Sequence, residues 1–309
     1  MGTSRLVWTD FLWNGAIHEK ALQNNCQCRG ASRFMNNPII QKSNYSAGPK
    51  LEFVDSHAHI DFDKYDDDRT ETLARAKSAG VENILQIAMG PSEEKIVRCY
   101  QIVKQNENMR MAVGLHPHDA DQYNEDVYHL ILTYASKEKV SAIGEIGLDY
   151  YYKNSNVENQ KKCFSDLMDL AVIMNLPISI HTRDAFDDTY ALTKQKDIFK
   201  KVGGVIHCFT GTADQAAKFV ELGAYISFSG VITFKNTEDL QKAVRDVPLN
   251  RILIETDSPF LAPIPYRGKR NEPAYVVEVA KTIAAIKGIS LDEVALATTT
   301  NAKKLFKFS

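Results

Sequence analysis

From residue 51 onward, short apolar, β-rich runs alternate with longer segments whose apolar positions recur at three- and four-residue spacing. Eight runs read as strands: Leu51–Ser56, Asn83–Ala88, Met111–Leu115, Ala142–Gly147, Pro177–Ile180, Gly204–His207, Tyr225–Ser229 and Ile252–Thr256. Helical patterns separate them. Arg69–Gly80 stops at a glycine, which accepts the left-handed conformation of a helix end. Ser92 precedes two acids and the run "KIVRCYQIVKQ", the order expected of an N-cap and a negative first turn. The segments "NQKKCFSDLMDLAVIMNL", "TADQAAKFVELG" and "NTEDLQKAV" follow, the last two opening on a Thr or Asn cap. Asp184 is expected to cap the helix after the fifth strand. Ala274–Lys287 and Leu291–Leu305 read as two closing helices.

Eight such strand–helix units predict α/β architecture of the (β/α)8 type, a TIM barrel, as a single domain over residues 51–309. A doubly wound sheet shares the alternation but rarely reaches eight regular units, and no glycine-rich fingerprint follows the first strand. Residues 1–50 break the pattern. They are rich in Asn, Ser and Gly, lack periodicity, and read as a poorly ordered N-terminal extension: a targeting segment, or a stretch upstream of a start at Met35. Cys26 and Cys28 lack zinc-knuckle spacing and receive no role.

Composition narrows the class. At 309 residues, with 44% hydrophobic and 25% charged, the chain is ordinary for a globular protein. No apolar run reaches the roughly 18 residues of a membrane helix. Five cysteines, scattered and odd in number, argue against a secreted disulfide framework and fit a reducing compartment, the cytoplasm. A net charge of -2 gives no global pull toward nucleic acid, so an anionic substrate would need a local basic patch.

Polar residues then fall at one place in the pattern. His57 and His59 follow strand one; His116 and His118 follow strand three; Glu145 and Asp149 lie in and after strand four. His181 and Arg183 follow strand five, His207 ends strand six, and Asp257 follows strand eight. In a barrel these positions gather at the C-terminal rim, where barrel active sites sit. Six of the eight histidines are placed so; His18 lies in the N-terminal extension and His129 lies mid-helix. Burying that many imidazoles and carboxylates without a cation is costly. The reading is two divalent ions: His57, His59 and Asp257 on one, His181 and His207 on the other, Glu145 bridging from between. Mixed nitrogen and oxygen ligands suit Zn, Mn or Mg. Such a pair implies a metal-assisted hydrolase.

The ordered motifs "DSHAHID", "GLHPH", "AIGEIGLDYY", "PISIHTRDA", "HCFTG", "ISFSG", "ETDSPFLAP" and "YRGKRNEP" resemble the TatD family of metal-dependent deoxyribonucleases, within the amidohydrolase-like barrels, over residues 51–308. The resemblance implies the same six ligands, and it implies that His116 meets a substrate phosphate. It also implies single-stranded DNA ends as substrate, degraded 3' to 5'. Asp257 would then orient the attacking water or take its proton. Cyclic-amide hydrolases of the same superfamily usually place a modified lysine on strand four, where this chain has Glu145.

After strand eight, "PYRGKRNEP" carries Arg267, Lys269 and Arg270 ahead of a helix start, an arrangement expected to bind phosphate, with Arg183 adding a contact. Phe209, Phe228 and Tyr266 lie near rim segments, and each is assigned to packing before base stacking. Asp55 is read either as orienting a ligand histidine or as a buried structural bond, and Cys208 as packing in the helix layer. Neither a membrane nor a second copy is required. Two rivals stay open: a metallohydrolase of another class, such as one cleaving an aminoacyl ester on transfer RNA, and a non-enzymatic binding barrel.

Overall fold

The computed structural model describes residues 51–308. The expectations for residues 1–50, including His18, Cys26, Cys28 and the start at Met35, lie outside the described residues. Eight parallel strands follow one another in chain order around a barrel: β1 Phe53–Ala58, β2 Val81–Met89, β3 Met109–Gly114, β4 Val140–Asp149, β5 Ile178–Arg183, β6 Gly204–Ile206, β7 Tyr225–Phe228 and β8 Ile252–Ile254. The seam between β8 and β1 closes through the Ala58–Ser258 bridge and the His59 N–H to Ser258 O bond of 2.8 Å. All eight runs read from the sequence are strands. β4 and β5 run further toward the rim than expected, carrying Asp149 and Arg183 inside the sheet.

Ten helices surround the sheet among the described residues: α1 Arg69–Ser78, α2 Glu93–Gln105, α3 Glu125–Ala135, α4 Val157–Met174, α5 Phe186–Lys196, α6 Ile198–Lys201, α7 Ala213–Leu222, α8 Glu238–Asp246, α9 Val276–Lys287 and α10 Leu291–Phe306. Ser92 Oγ accepts the Lys95 N–H as the expected cap of α2, and Thr212 forms a reciprocal capping box with Gln215 on α7. Two expected caps differ. Asp184 takes a left-handed φ of 52°, and α5 starts after Ala185 with no side-chain cap. At α8, the Thr237 hydroxyl donates to the Phe234 carbonyl instead of capping. None of these helices is long and apolar enough to cross a membrane.

The N-terminal mouth of the barrel is filled with carbon. Val54, Leu85, Ala112, Ala142, Val205 and Leu253 from six strands meet Ala302, Leu305, Phe306 and Phe308 at the end of the chain. Helix α10 is pinned there: Asn301 Nδ2 donates to the Ile252 carbonyl at 2.9 Å and Thr299 Oγ1 to the Glu52 carbonyl at 2.7 Å.

At the C-terminal end, two glycines shape β4. A Cβ on Gly144 would lie 2.7 Å from Ser179 Cβ, and one on Gly147 would run into the His181 carbonyl. β4 therefore presses its backbone against β5 on both sides of Glu145. That contact sets the Glu145 carboxylate beside His181.

Candidate metal centre

His57 lies on β1 and His59 just beyond it, two residues apart and so on one side of the strand. Asp257 Oδ1 faces both, 3.4 Å from His59 Nε2 and 3.8 Å from His57 Nε2. Asp55 touches no imidazole. Its carboxylate accepts the Thr256 N–H at 2.9 Å, the Thr256 hydroxyl at 2.5 Å and the His57 N–H at 3.3 Å. Of its two expected roles the structure has the structural one: it ties the end of β8 to β1 and so keeps Asp257 beside the histidine pair. Burial pushes the Asp55 carboxyl up to about 7, against the pull of these donors.

Glu145 is the hub. Its Oε1 lies 2.7 Å from His207 Nε2 and 2.9 Å from His181 Nδ1, while Oε2 faces His57 Nε2 at 3.4 Å. One carboxylate oxygen thus addresses each half of the site. His207 stacks on His57 with centroids 3.9 Å apart, and its Nε2 is 3.4 Å from His181 Nδ1. The six residues picked from the sequence as ligands meet in one cluster.

The electrostatics follow from packing opposite charges out of water. Burial pushes the Glu145 carboxyl up, but the imidazoles of His207, His116 and His181 outweigh it and hold the group well below the usual carboxylate range. Burial also drives His57 and His116 down toward the neutral form. For His59, His181 and His207, burial acts in the same direction but is overcome by Asp257, Asp149 and Glu145 respectively.

Unsatisfied donors and acceptors test whether ions fit. His57 Nδ1 and Nε2, His59 Nδ1 and His207 Nδ1 are all buried without a hydrogen-bond partner. Buried polar atoms are nearly always satisfied, and of these nitrogens His57 Nε2 is aimed between the carboxylates of Glu145 and Asp257, where a cation fits. The donor set fits divalent ions.

His116 was expected at a substrate phosphate and stands at the edge of the cluster, its Nε2 3.5 Å from Glu145 Oε1. Its Nδ1 accepts the His118 N–H at 3.2 Å. A neutral imidazole that accepts at Nδ1 carries its proton on Nε2. That makes Nε2 a donor facing Glu145, and His116, Glu145 and His181 form a further group close enough to share an ion.

Two carboxylates that the sequence reading left without a role complete the centre. Asp149 Oδ2 holds both His181 Nε2 and His118 Nε2 at 3.0 Å, and Oδ1 accepts the N–H groups of Tyr151 and Tyr152. Burial raises the Asp149 carboxyl, yet these donors hold it far below its ordinary range. Glu255 Oε1 accepts the Cys208 N–H and lies 3.5 Å from His207 Nδ1. Asp149 sits behind His181 and fixes its ring, while Glu255 stands beside the His207 ring. The signal that could have found them is the alternation that singled out His57 and His59: Glu145 and Asp149 are four apart, and Glu255 and Asp257 two apart. Cys208 is also at this rim, not in the helix layer, with Sγ 3.3 Å from Ser229 Oγ. His129 is an exposed residue of α3, as expected.

The basic groups are arranged differently from the expected phosphate cluster. Arg270 is engaged elsewhere: its two terminal nitrogens grip the Asp68 carboxylate, each at 2.7 Å. The chain entering α9 does not offer a bare helix start, because the Glu272 carboxylate sits there and takes Arg75 at 2.7 Å. Arg267 lies over the Phe234 ring at 3.8 Å, and Lys269 is exposed. Arg183 lies over the rings of Tyr151 and Tyr152. Phe209 and Phe228 are buried, in keeping with packing, and Tyr266 stacks on Tyr275 at 3.8 Å.

Comparison with known proteins places this centre among relatives. The family model described as TatD related DNase matches residues 54–307. A metal-dependent hydrolase of Bacillus subtilis, YabD, is 42% identical over 255 residues, covering 82% of this chain and 99% of its own. A protein of Cronobacter sakazakii named 3'-5' ssDNA/RNA exonuclease TatD is 33% identical over 254 residues, covering 80% of this chain and 95% of its own. The crystal structure of the TatD homologue YjjV from Escherichia coli superposes with a TM-score of 0.78 at 29% identity, over 83% of this chain and 98% of that one. With a match over most of its length and the donor cluster where the barrel opens, the chain belongs to the TatD-related DNase family.

Proposed function

We propose that the chain removes nucleotides from single-stranded 3' ends of DNA by hydrolysing the terminal phosphodiester bond. The coarse class, a metal-dependent hydrolase, goes with the family. The observation that carries the proposal is the meeting of His57, His181 and His207 on the two oxygens of Glu145, with Asp257 facing His57 and His59 alongside. The name of the Cronobacter relative supports nucleic acid as substrate.

In this reading His57, His59, Glu145, His181, His207 and Asp257 would together hold two divalent ions. Ions so held, whether Mg, Mn or Zn, supply Lewis acidity that acidifies a water and neutralises charge on the phosphoryl oxygens. The remaining work falls to the chain. The Asp257 side chain is 17% exposed where that of Glu145 is 4%. Asp257 is therefore the carboxylate that water reaches, and it takes the proton of the attacking water. His116 donates its Nε2 proton to a phosphate oxygen as charge builds there. Asp149 and Glu255 keep the His181 and His207 rings in place. Arg183, Arg267 and Lys269 hold the backbone of the strand without reading its sequence. Arg270 acts at a distance, by fixing the loop before α1.

The test compares release of nucleotides from end-labelled single-stranded DNA by wild type and Glu145→Ala, each chelated and then given Mg or Mn. Release by wild type alone, starting from the 3' end, is expected. Equal release by both proteins would sink the reading. Cleavage of an aminoacyl-RNA ester without nucleotide release would move the substrate to the rival class.

A further inference from the structure

Ring-to-ring contacts link the imidazoles of the site in series. From His59 through His57, His207 and His181 to His118, the imidazole centroids follow at 5.1, 3.9, 5.5 and 6.3 Å. At each end the series passes from imidazole to larger aromatic rings. Beyond His59 stand Phe62 and Phe260, 5.6 Å apart and edge to face, with Phe260 38% exposed. Beyond His118 stands Tyr152, 5.3 Å away and 42% exposed. Both rings reach solvent while resting on neighbours of the site.

Each ledge pairs a ring with a cation. Lys64 Nζ lies 5.3 Å from the Phe260 centroid, and the Arg183 guanidinium 4.7 Å from that of Tyr152. Ring plus cation is the combination that grips single-stranded nucleic acid, the ring taking a base and the charge its phosphate.

Each ledge is also one hydrogen bond from the donor set. The Phe62 N–H donates to the His59 carbonyl and the Phe260 N–H to the Asp257 carbonyl. The Tyr152 N–H donates to Asp149, which holds His181. The rings are therefore positioned with the ligands and not on independently moving loops.

Building on the nuclease reading, we infer that the two ledges are base subsites flanking the scissile phosphate, one base stacking on Phe260 with Phe62 and the other on Tyr152. Stacking is sequence-tolerant, because every base has a π face. The enzyme would then accept any base at the end but require bases on both sides of the bond.

The experiment measures kcat/KM for release from single-stranded oligonucleotides that are intact, abasic at the terminal position, or abasic at the next. Wild type, Phe260→Ala, Tyr152→Ala, Phe260→Tyr and Tyr152→Phe are compared. Each alanine variant should lose about tenfold on intact DNA and nothing further when the base facing it is missing, and the two variants should couple to different positions. The aromatic replacements should retain most activity. Wild type active on DNA, with losses that ignore the missing base, would overturn the subsites and leave the nuclease reading standing. Wild type silent on all three oligonucleotides would overturn both.

Discussion

On β1, Val54 belongs to the apolar plug at one end of the barrel, and His57, a few residues on, belongs to the polar cluster at the other. One barrel carries both. At the plug, side chains from six strands close on Phe306 and Phe308, and burial of carbon needs nothing from solvent. At the mouth, Glu145, His57, His59 and His207 are packed nearly as deeply, with four ring nitrogens left unsatisfied. The plug is complete as folded. The mouth gathers donors that could hold cations, so packing dominates one end and polar groups the other.

The largest effect should come from breaking the mouth at its hub. Glu145→Gln keeps the shape and removes the charge both halves share. Nucleotide release should fall by about three orders of magnitude or more, while circular dichroism shows a folded barrel. Breaking the plug should do the reverse. Phe306→Ala should cost about 3–5 kcal/mol of stability, read as a lowered urea midpoint, with release per folded molecule unchanged at low temperature. If Phe306→Ala abolished release under folding conditions, the two ends would not be separable.

Metal addition sharpens the same contrast without a reaction. Manganese at about 100 times its dissociation constant should stabilise the chelated wild type by about 2.7 kcal/mol. For a barrel of this size that is a rise in melting temperature of about 5–10 °C. Phe306→Ala should show a rise of the same size from a lower start. Glu145→Gln should show little. An equal rise in Glu145→Gln would place the ions elsewhere.

How much of this was legible in the sequence also divides by region. The strands were legible because short apolar runs recur with helices between them, and the candidate donor cluster because His57, His59, His181, His207, Glu145 and Asp257 fall at strand ends. Burial at a strand end is decided by the next strand, which no local pattern shows. Asp149 was seen at the rim but given no role, because its partners His118 and His181 come from other strands. Arg270 was read as a phosphate contact, because its partner Asp68 lies about two hundred residues earlier. Charge in a sequence does not say whether it is already neutralised. Asp149→Asn should accordingly be milder than loss of a ligand, lowering metal affinity about 10–100-fold with folding retained, as manganese titration would show.

The smallest effect belongs to the mouth's own seam. Asp68 receives Arg270 and Arg75, and Arg75 also holds Glu272, which ties the loop before α1 to the segment before α9. Those segments flank the Phe62 and Phe260 ledge. Where the plug coheres through carbon, this seam coheres through partly exposed charge, and such pairs contribute about 1 kcal/mol or less. The Arg270 and Arg75 guanidinium groups hold the Asp68 carboxyl well below its usual range. Folding thus favours the ionised form, so the contribution is present above the unfolded carboxylate range near pH 4 and fades as pH falls through it. Asp68→Asn should lower the melting temperature by a few degrees at most at neutral pH and low salt. The deficit should narrow in molar sodium chloride and again in acid, where wild type loses the same interaction. A deficit indifferent to both salt and acid would mean that the seam, like the plug, is held by packing, and the contrast between the two ends would then stop at the metal ligands.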